Sequence, residues 1–252
     1  DTPIRWLMCL RDITELAKSA AIKTDFVANA SHELRTPVAS IRAAVDTLRD
    51  DGLDQQTRDR FISIIQRNVD RLQMLTDDLM HLNRVETATV ELTVSRFRVV
   101  EVYDSLRASF SEAFAQKIAE FIAESEIEEL HSDRRWLEIV LRNLVDNAVK
   151  FVGVNGRVEL RCRRVGDAAE FEVNDNGCGI PSPDVDRVFE RFYQVDKSRG
   201  LNVGGTGLGL AIVKHAVHAM GGEGSITSEL DRGTTVRFSV PASVVRDELA
   251  AV

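Results

Sequence analysis

Two apolar seams with a strict four-three spacing constrain this chain more than any other feature. The first runs through Val27, Ser31, Leu34, Val38, Ile41, Val45 and Leu48, the second through Phe61, Ile65, Asn68, Leu72, Leu75, Leu79 and Leu82. That spacing keeps side chains in one line along an α-helix and marks helices that pack along their length. The polar stretch Asp50-Asp51-Gly52-Leu53-Asp54 separates the seams and leaves room only for a tight reversal. The chain therefore predicts two long helices folded as an antiparallel hairpin, the first capped at Thr14 and running to about Arg49. One hairpin has little interior of its own, and pairing two copies into a four-helix bundle would hide both seams. A homodimer is expected on that ground, although the spacing alone leaves an intramolecular coiled-coil spacer equally open.

From about Glu91 the texture changes. Strand-like segments at 90–94, 118–123, 156–163, 169–174, 224–228 and 234–240 alternate with helical ones at 99–116, 134–151 and 208–220. Mixed strands and helices in one run predict an α/β sandwich, a sheet covered by helices on one face. The class is thus α+β, a helical hairpin followed by an α/β sandwich, and 252 residues suffice for two small domains. Residues 4–12 read as a further strand. The long segment between about Pro181 and Thr206 has little structure of its own, as functional lids or disordered loops do.

Charge and cysteine usage narrow the partners. A formal net charge of −8 speaks against unspecific binding to nucleic acid or to an anionic membrane. Cys9, Cys162 and Cys178 are far apart and form no Cys-x-x-Cys pair, which suits a reducing, cytoplasmic compartment and offers no metal site. No run of about 18 apolar residues is present, and no basic segment followed by an apolar core marks a signal peptide. The chain starts at Asp1 rather than at Met and reads as a piece of a longer protein.

Four strings carry chemistry. Ser31-His32-Glu33-Leu34-Arg35-Thr36-Pro37 lies inside the first helix. His32 follows a seam residue and so points off the bundle axis toward solvent, where a neutral imidazole is a competent nucleophile. Glu33 can accept the proton of one ring nitrogen and leave the other free to attack. Thr36 shares the helix face one turn on and can orient a water against a phosphoryl group on the ring. Pro37 deletes one backbone hydrogen bond and is expected to kink the helix beside His32.

In the second string Asn143, Asn147 and Lys150 lie along one helical stripe, with an amide oxygen suited to Mg²⁺ and a cation suited to phosphate. A solvated helix face is the plain alternative. The third, Asp175-Asn176-Gly177-Cys178-Gly179, follows a strand; its carboxylate can accept a hydrogen bond from an adenine amine, or the segment is simply a turn. The fourth, Gly204-Gly205-Thr206-Gly207-Leu208-Gly209, runs into an apolar helix, whose N-terminal N–H groups favour phosphate. It follows a loop and lacks Gly-Lys-Ser/Thr, which argues against a dinucleotide fold and a P-loop.

Together and in this order, the strings resemble the sensor histidine kinases of two-component systems. Ser31–Pro37 looks like the family's H box, Asn143–Phe151 like its N box and Asp175–Gly179 like its first glycine box. Phe189-Glu190-Arg191-Phe192-Tyr193 resembles the F box, and Gly205–Leu210 the second glycine box. The match covers roughly residues 20 to 242. It implies a dimerisation and phosphotransfer hairpin (17–88) and an ATP-binding domain of the histidine kinase/GHKL type (89–245), with a tail at 246–252. Residues 1–16 look like the end of a PAS sensor domain and its linker.

By position, Asp175 would bind adenine, Asn147 would hold Mg²⁺, and Asn143 and Lys150 would assist at the phosphates. Gly177 and Gly179 would shape the adenine loop. Gly205, Thr206, Gly207, Leu208 and Gly209 would hinge an ATP lid carrying Lys197 and Arg199 as cations. The implied reaction is autophosphorylation of His32 from ATP, then transfer to an aspartate of a response regulator. Glu33-Leu34-Arg35-Thr36 fits the Glu-x-x-Thr pattern of members that also dephosphorylate the regulator. For the full-length protein the resemblance implies attachment to the inner or plasma membrane through preceding segments. The rival readings are a GHKL-fold ATPase or serine kinase, which leaves the His32 string without a role, and a degenerate ATP-binding scaffold, against which intact Asn147, Asp175 and His32 speak.

Overall fold

The computed structural model describes residues 14–50, 52–86, 92–195 and 205–242, without the side chains of 15–23 and 86. The expected strand at 4–12, the PAS-like end, Lys197, Arg199 and the tail lie outside the described residues. The chain divides into two compact units, one ending at Leu72 and the other beginning at Gln73.

The first unit is built from α1 (Thr14–Leu48) and the greater part of α2 (Gln55–Glu86). α1 passes through Pro37 as one helix, and Pro37 is buried. The reversal is tied locally: the Asp50 carboxylate accepts the Gly52 N–H at 2.9 Å, and the Arg58 guanidinium donates to the carbonyls of Asp50 and Leu53. Asp54 caps α2 by accepting the Thr57 N–H at 2.6 Å, and that bond holds its carboxyl below the usual range. Between the helices, Asn68 donates to Ser40 at 3.3 Å and Arg71 to Glu33 at 2.8 Å, and Ala44 is buried. Val27, Val38 and Val45 on α1 are 62%, 53% and 39% exposed, and Ile62 and Val69 on α2 are exposed as well. Steps of eleven and seven return to the same side of an α-helix, so each helix carries an uncovered apolar line.

The second unit contains β1 (Val94–Arg98), α3 (Val99–Lys117), β2 (Glu120–Ser125), β3 (Glu129–Asp133) and α4 (Arg134–Phe151), followed by β4 (Arg157–Val165), β5 (Ala168–Asp175), α5 (Gly209–Ala219), β6 (Gly224–Glu229) and β7 (Gly233–Pro241). Five strands form one sheet in the order β2-β4-β5-β7-β6; β2 and β4 are parallel and the other neighbours antiparallel. Alternation decides which face is covered. Val158, Leu160 and Cys162 of β4, Ala169, Phe171 and Val173 of β5, and Val236, Phe238 and Val240 of β7 are buried beneath the helices. Their neighbours in sequence are Glu159, Arg161, Arg163, Glu170, Glu172 and Arg237, which stand on the uncovered face. Phe171 and Phe238 stack at 5.1 Å across β5 and β7, and burial pushes the Cys162 thiol up to about 12.

The expected sandwich is therefore present, with one shift and one addition. The first strand starts at Val94 and turns its Phe97 inward, rather than ending there, and it pairs with β3, which was not expected. Glu129-Leu130-His131-Ser132-Asp133 has a single apolar residue, and its strand exists because β1 supplies the partner.

α4 is set at both ends. The buried Asp133 carboxylate accepts the Trp136 N–H at 3.0 Å and, with its other oxygen, the Thr93 N–H at 2.7 Å. At the far end the Lys117 ammonium donates to the carbonyls of Val149, Lys150 and Val152 at 2.6, 2.8 and 2.9 Å, satisfying three acceptors that a helix leaves over. Replacing Lys117 by Met keeps the stem and deletes the donors. We expect Lys117→Met to lower the stability of this unit by about 2 kcal/mol, measured by urea unfolding followed by circular dichroism.

Candidate functional site

The apolar stripe of α4 (Trp136, Leu137, Val140, Leu141, Leu144, Val145, Ala148, Val149) is buried, which leaves Asn143, Asp146, Asn147 and Lys150 along its half-buried flank. Two glycine loops close on that flank. The first leaves β5 at Asp175, whose Oδ1 accepts the Gly177 N–H at 2.8 Å. A Cβ on Gly177 would stand 2.7 Å from the Phe151 carbonyl oxygen at the end of α4, so only glycine permits the approach. Cys178 N–H donates to that same oxygen at 3.3 Å. Gly179, at φ 67°, lies against the β6–β7 turn, where Asp231 N–H donates to the Cys178 carbonyl and Ile180 N–H to Ser228 Oγ, both at 2.8 Å. Burial raises the Asp175 carboxyl above its ordinary range, opposed by the N–H groups of Gly177 and Thr234.

The second loop enters α5. Gly209 packs against α4: a Cβ there would meet Asn143 Oδ1 at 2.8 Å and approach Asn147 Nδ2 at 3.9 Å. Gly207, at φ 71°, touches the backbone of Phe192, whose N–H donates to the Gly207 carbonyl at 2.8 Å. The segment resembling an F box is thereby paired with the one resembling a second glycine box. Thr206 is buried and accepts the Leu208 N–H at 3.2 Å.

The second unit thus gathers Asn143, Asn147, Lys150, Asp175, Gly177, Gly179 and Gly205–Gly209 about one flank of α4. Asn143 Nδ2 is spent on the Ile139 carbonyl at 2.8 Å, and Lys150 is paired with Asp146 at 2.5 Å. The Asn147 carboxamide has no hydrogen bond among the described residues and is half-buried, which suits a lone amide ligand to a cation that otherwise keeps water and phosphate oxygens.

His32, Glu33 and Thr36 belong to the first unit. The His32 side chain is 73% exposed, and its Nδ1 lies 4.0 Å from Glu33 Oε1. The other Glu33 oxygen accepts from Arg71 at 2.8 Å, so a residue 38 positions away holds the carboxylate beside the ring. Thr36 Oγ1 donates to the His32 carbonyl at 3.3 Å. The sequence reading missed Arg71: a cation within a polar helix carries no local signal of its cross-helix partner.

Fold and site together define a class: a helical hairpin bearing an exposed histidine, and an α/β sandwich with a two-loop glycine site. Residues 132–244 match the family described as histidine kinase-, DNA gyrase B-, and HSP90-like ATPase, and residues 22–88 match the His Kinase A (phospho-acceptor) domain. The chain is 34% identical over 235 residues to the sensor histidine kinase WalK of Bacillus subtilis (strain 168), spanning 91% of itself and 38% of that relative. Among solved structures, full-length ShkA in complex with AMPPNP is 27% identical with a TM-score of 0.64, over 86% of this chain and 45% of that one. Histidine kinase ThkA, in complex with the response regulator protein TrrA, has a TM-score of 0.73 at 21% identity, over 90% of this chain and 64% of that one. The chain belongs to the two-component sensor histidine kinases and carries their ATP-binding domain. It spans about two fifths of the length of the curated relatives it matches. No helix among the described residues is long and apolar enough to cross a membrane.

The raised Asp175 carboxyl has a consequence for stability. A folded-state value above the ordinary 3.8 means that the native chain binds this proton more tightly than the unfolded one. Its contribution to stability therefore falls as pH rises from 3.8 through the higher folded value. Asn at this position keeps an acceptor for Gly177 N–H without the charge. In urea unfolding across pH 4 to 8, Asp175→Asn should gain stability over the parent as pH rises.

Proposed function

We propose that this chain is a catalytic core that phosphorylates itself on His32 from ATP and passes the phosphoryl group to an aspartate of a response regulator. The observation that carries the reading is the His32–Glu33–Arg71 arrangement: an exposed ring with one nitrogen turned to a carboxylate that a guanidinium holds in place. Nε2 attacks the γ-phosphorus, the bond from that phosphorus to the bridging oxygen breaks, ADP leaves, and the Nδ1 proton passes to Glu33. Asp175 takes the adenine amine, and the N–H groups of the loop entering α5 take phosphate oxygens. Asn147 is the residue that would hold Mg²⁺, with Asn143 and Lys150 at its sides; the ion supplies charge neutralisation on the phosphates. Lys197 and Arg199 are proposed as lid cations.

The ATP analogue in the ShkA structure and the regulator bound to ThkA support these substrates by likeness. Regulator dephosphorylation is a second activity, resting on the Glu33-to-Thr36 spacing, with Thr36 orienting the water. A homodimer is proposed from the exposed Val27, Val38, Val45, Ile62 and Val69 lines. The full-length protein is proposed to be membrane-attached through segments beyond this chain. A plain ATPase, a serine kinase or a scaffold would leave the His32 arrangement without a purpose.

Incubation with γ-labelled ATP and Mg²⁺ tests the reading. An acid-labile, base-stable label should appear on the parent and be absent from His32→Gln; a label that survives that change places the acceptor elsewhere. Glu33→Ala should slow labelling by about a hundredfold while ATP still binds. Sedimentation should find a dimer for the parent and a monomer for Val38→Glu.

A further inference from the structure

The stretch of α2 from Gln73 onward belongs to the second unit, and one of its side chains reaches the nucleotide loop. Asp78 Oδ2 accepts a hydrogen bond from Thr206 Oγ1 at 2.5 Å, and Thr206 is 6% exposed. The same hydroxyl oxygen accepts the Leu208 N–H at 3.2 Å. A threonine hydroxyl has one proton. Committing it to the carboxylate fixes the rotor and turns a lone pair to Leu208, where α5 has no other side-chain cap. Gly205 and Gly207 flank Thr206, and a loop so rich in glycine has little stiffness of its own.

Burial raises the Asp78 carboxyl above its ordinary range, and the Thr206 hydrogen bond opposes that. Lys150 attracts the carboxylate, whereas Asp146 and its neighbour Asp77 repel it. A desolvated carboxylate persists where its partners are specific. No motif in the sequence singles out Asp78.

We propose that Asp78 is a positioning residue of the nucleotide site. By fixing the Thr206 hydroxyl it sets the backbone of Gly205–Gly209, and with it the N–H groups offered to the phosphates of ATP. The inference rests on the ATP reading above. It makes the loop answer to α2: a turn or shift of that helix beyond Gln73 moves the acceptor that holds the loop.

The test uses the whole chain with Mg²⁺ and reads the Kd of a fluorescent ATP analogue, the KM and kcat of autophosphorylation, and the thermal midpoint. Asp78→Ala and Thr206→Val should each raise Kd and KM about tenfold, the scale of one hydrogen bond, with kcat nearly unchanged. Asp78→Ala combined with Thr206→Val should be no worse than either alone, because both remove one contact. Thr206→Ser should restore parental binding, and Asp78→Asn, which keeps an acceptor, should lie near the parent; where Asp78→Ala fails to fold, the contrast of Thr206→Val with Thr206→Ser decides the matter. Lowered midpoints with unchanged KM, or losses that multiply in the double variant, would overturn the assignment. Tighter ATP binding in Asp78→Ala would also overturn it, since the carboxylate would then be competing with phosphate. A parent that binds no analogue sinks the nucleotide reading itself, whereas a binding parent with Asp78→Ala and Thr206→Val indifferent sinks only the role of Asp78.

Discussion

The end of α4 is the point on which the second unit turns. A helix terminus leaves carbonyl groups without partners, and here the Lys117 ammonium collects three of them from the end of α3. A fourth, that of Phe151, is left for the loop after β5, whose Cys178 N–H takes it. Helix, strand end and loop are thereby locked at one place, and Asp175 stands beside it. The cation also suits the negative pole of the helix, so the same interaction closes α4 electrostatically. Without a fixed Phe151 carbonyl, the glycine at 177 would have nothing to approach.

From that point the site follows by exclusion of side chains. Gly177 lets a loop touch the end of α4, Gly209 lets another touch its flank at Asn143, and Gly207 lets the same loop cross the backbone of Phe192. On that flank Lys150 pairs with Asp146 and Asn143 donates to the Ile139 carbonyl; the Asn147 carboxamide stands apart in having no partner among the described residues. The histidine of the other unit is set on a different plan. His32 is left to solvent, and its environment is shaped through Glu33, which Arg71 holds from the neighbouring helix.

How much of this could be read in advance depended on range. α4 was legible almost to the residue, because an apolar stripe is bounded by an aspartate suited to capping and by a phenylalanine at its end. The hairpin was legible because its periodicity is long and regular. The Gly177 and Gly209 strings were legible as motifs, but the geometry that requires glycine there involves Phe151 and Asn143, distant in sequence. β3 was illegible, since Leu130 is the one apolar residue in a polar run and the strand is created by β1. Arg71, Asp78 and Lys117 were missed for a shared reason. Each is an ordinary helix-surface residue by pattern and gains its role from a partner 32 to 128 positions away.

The uncovered sheet face has a role beyond solubility. Arg163 lies opposite Glu170 and is bonded to it, Glu172 lies between Arg161 and Arg237, and Asn174 faces Thr235. A slip of β4 against β5 by one residue would send the apolar set outward. A slip by two in one direction would keep the faces but bring Glu159 opposite Glu172, like charge against like. Apolar burial alone cannot detect that second error, because it preserves the alternation. The ionic ladder can, so the charged face works as a proofreading key that selects among registers the core would accept.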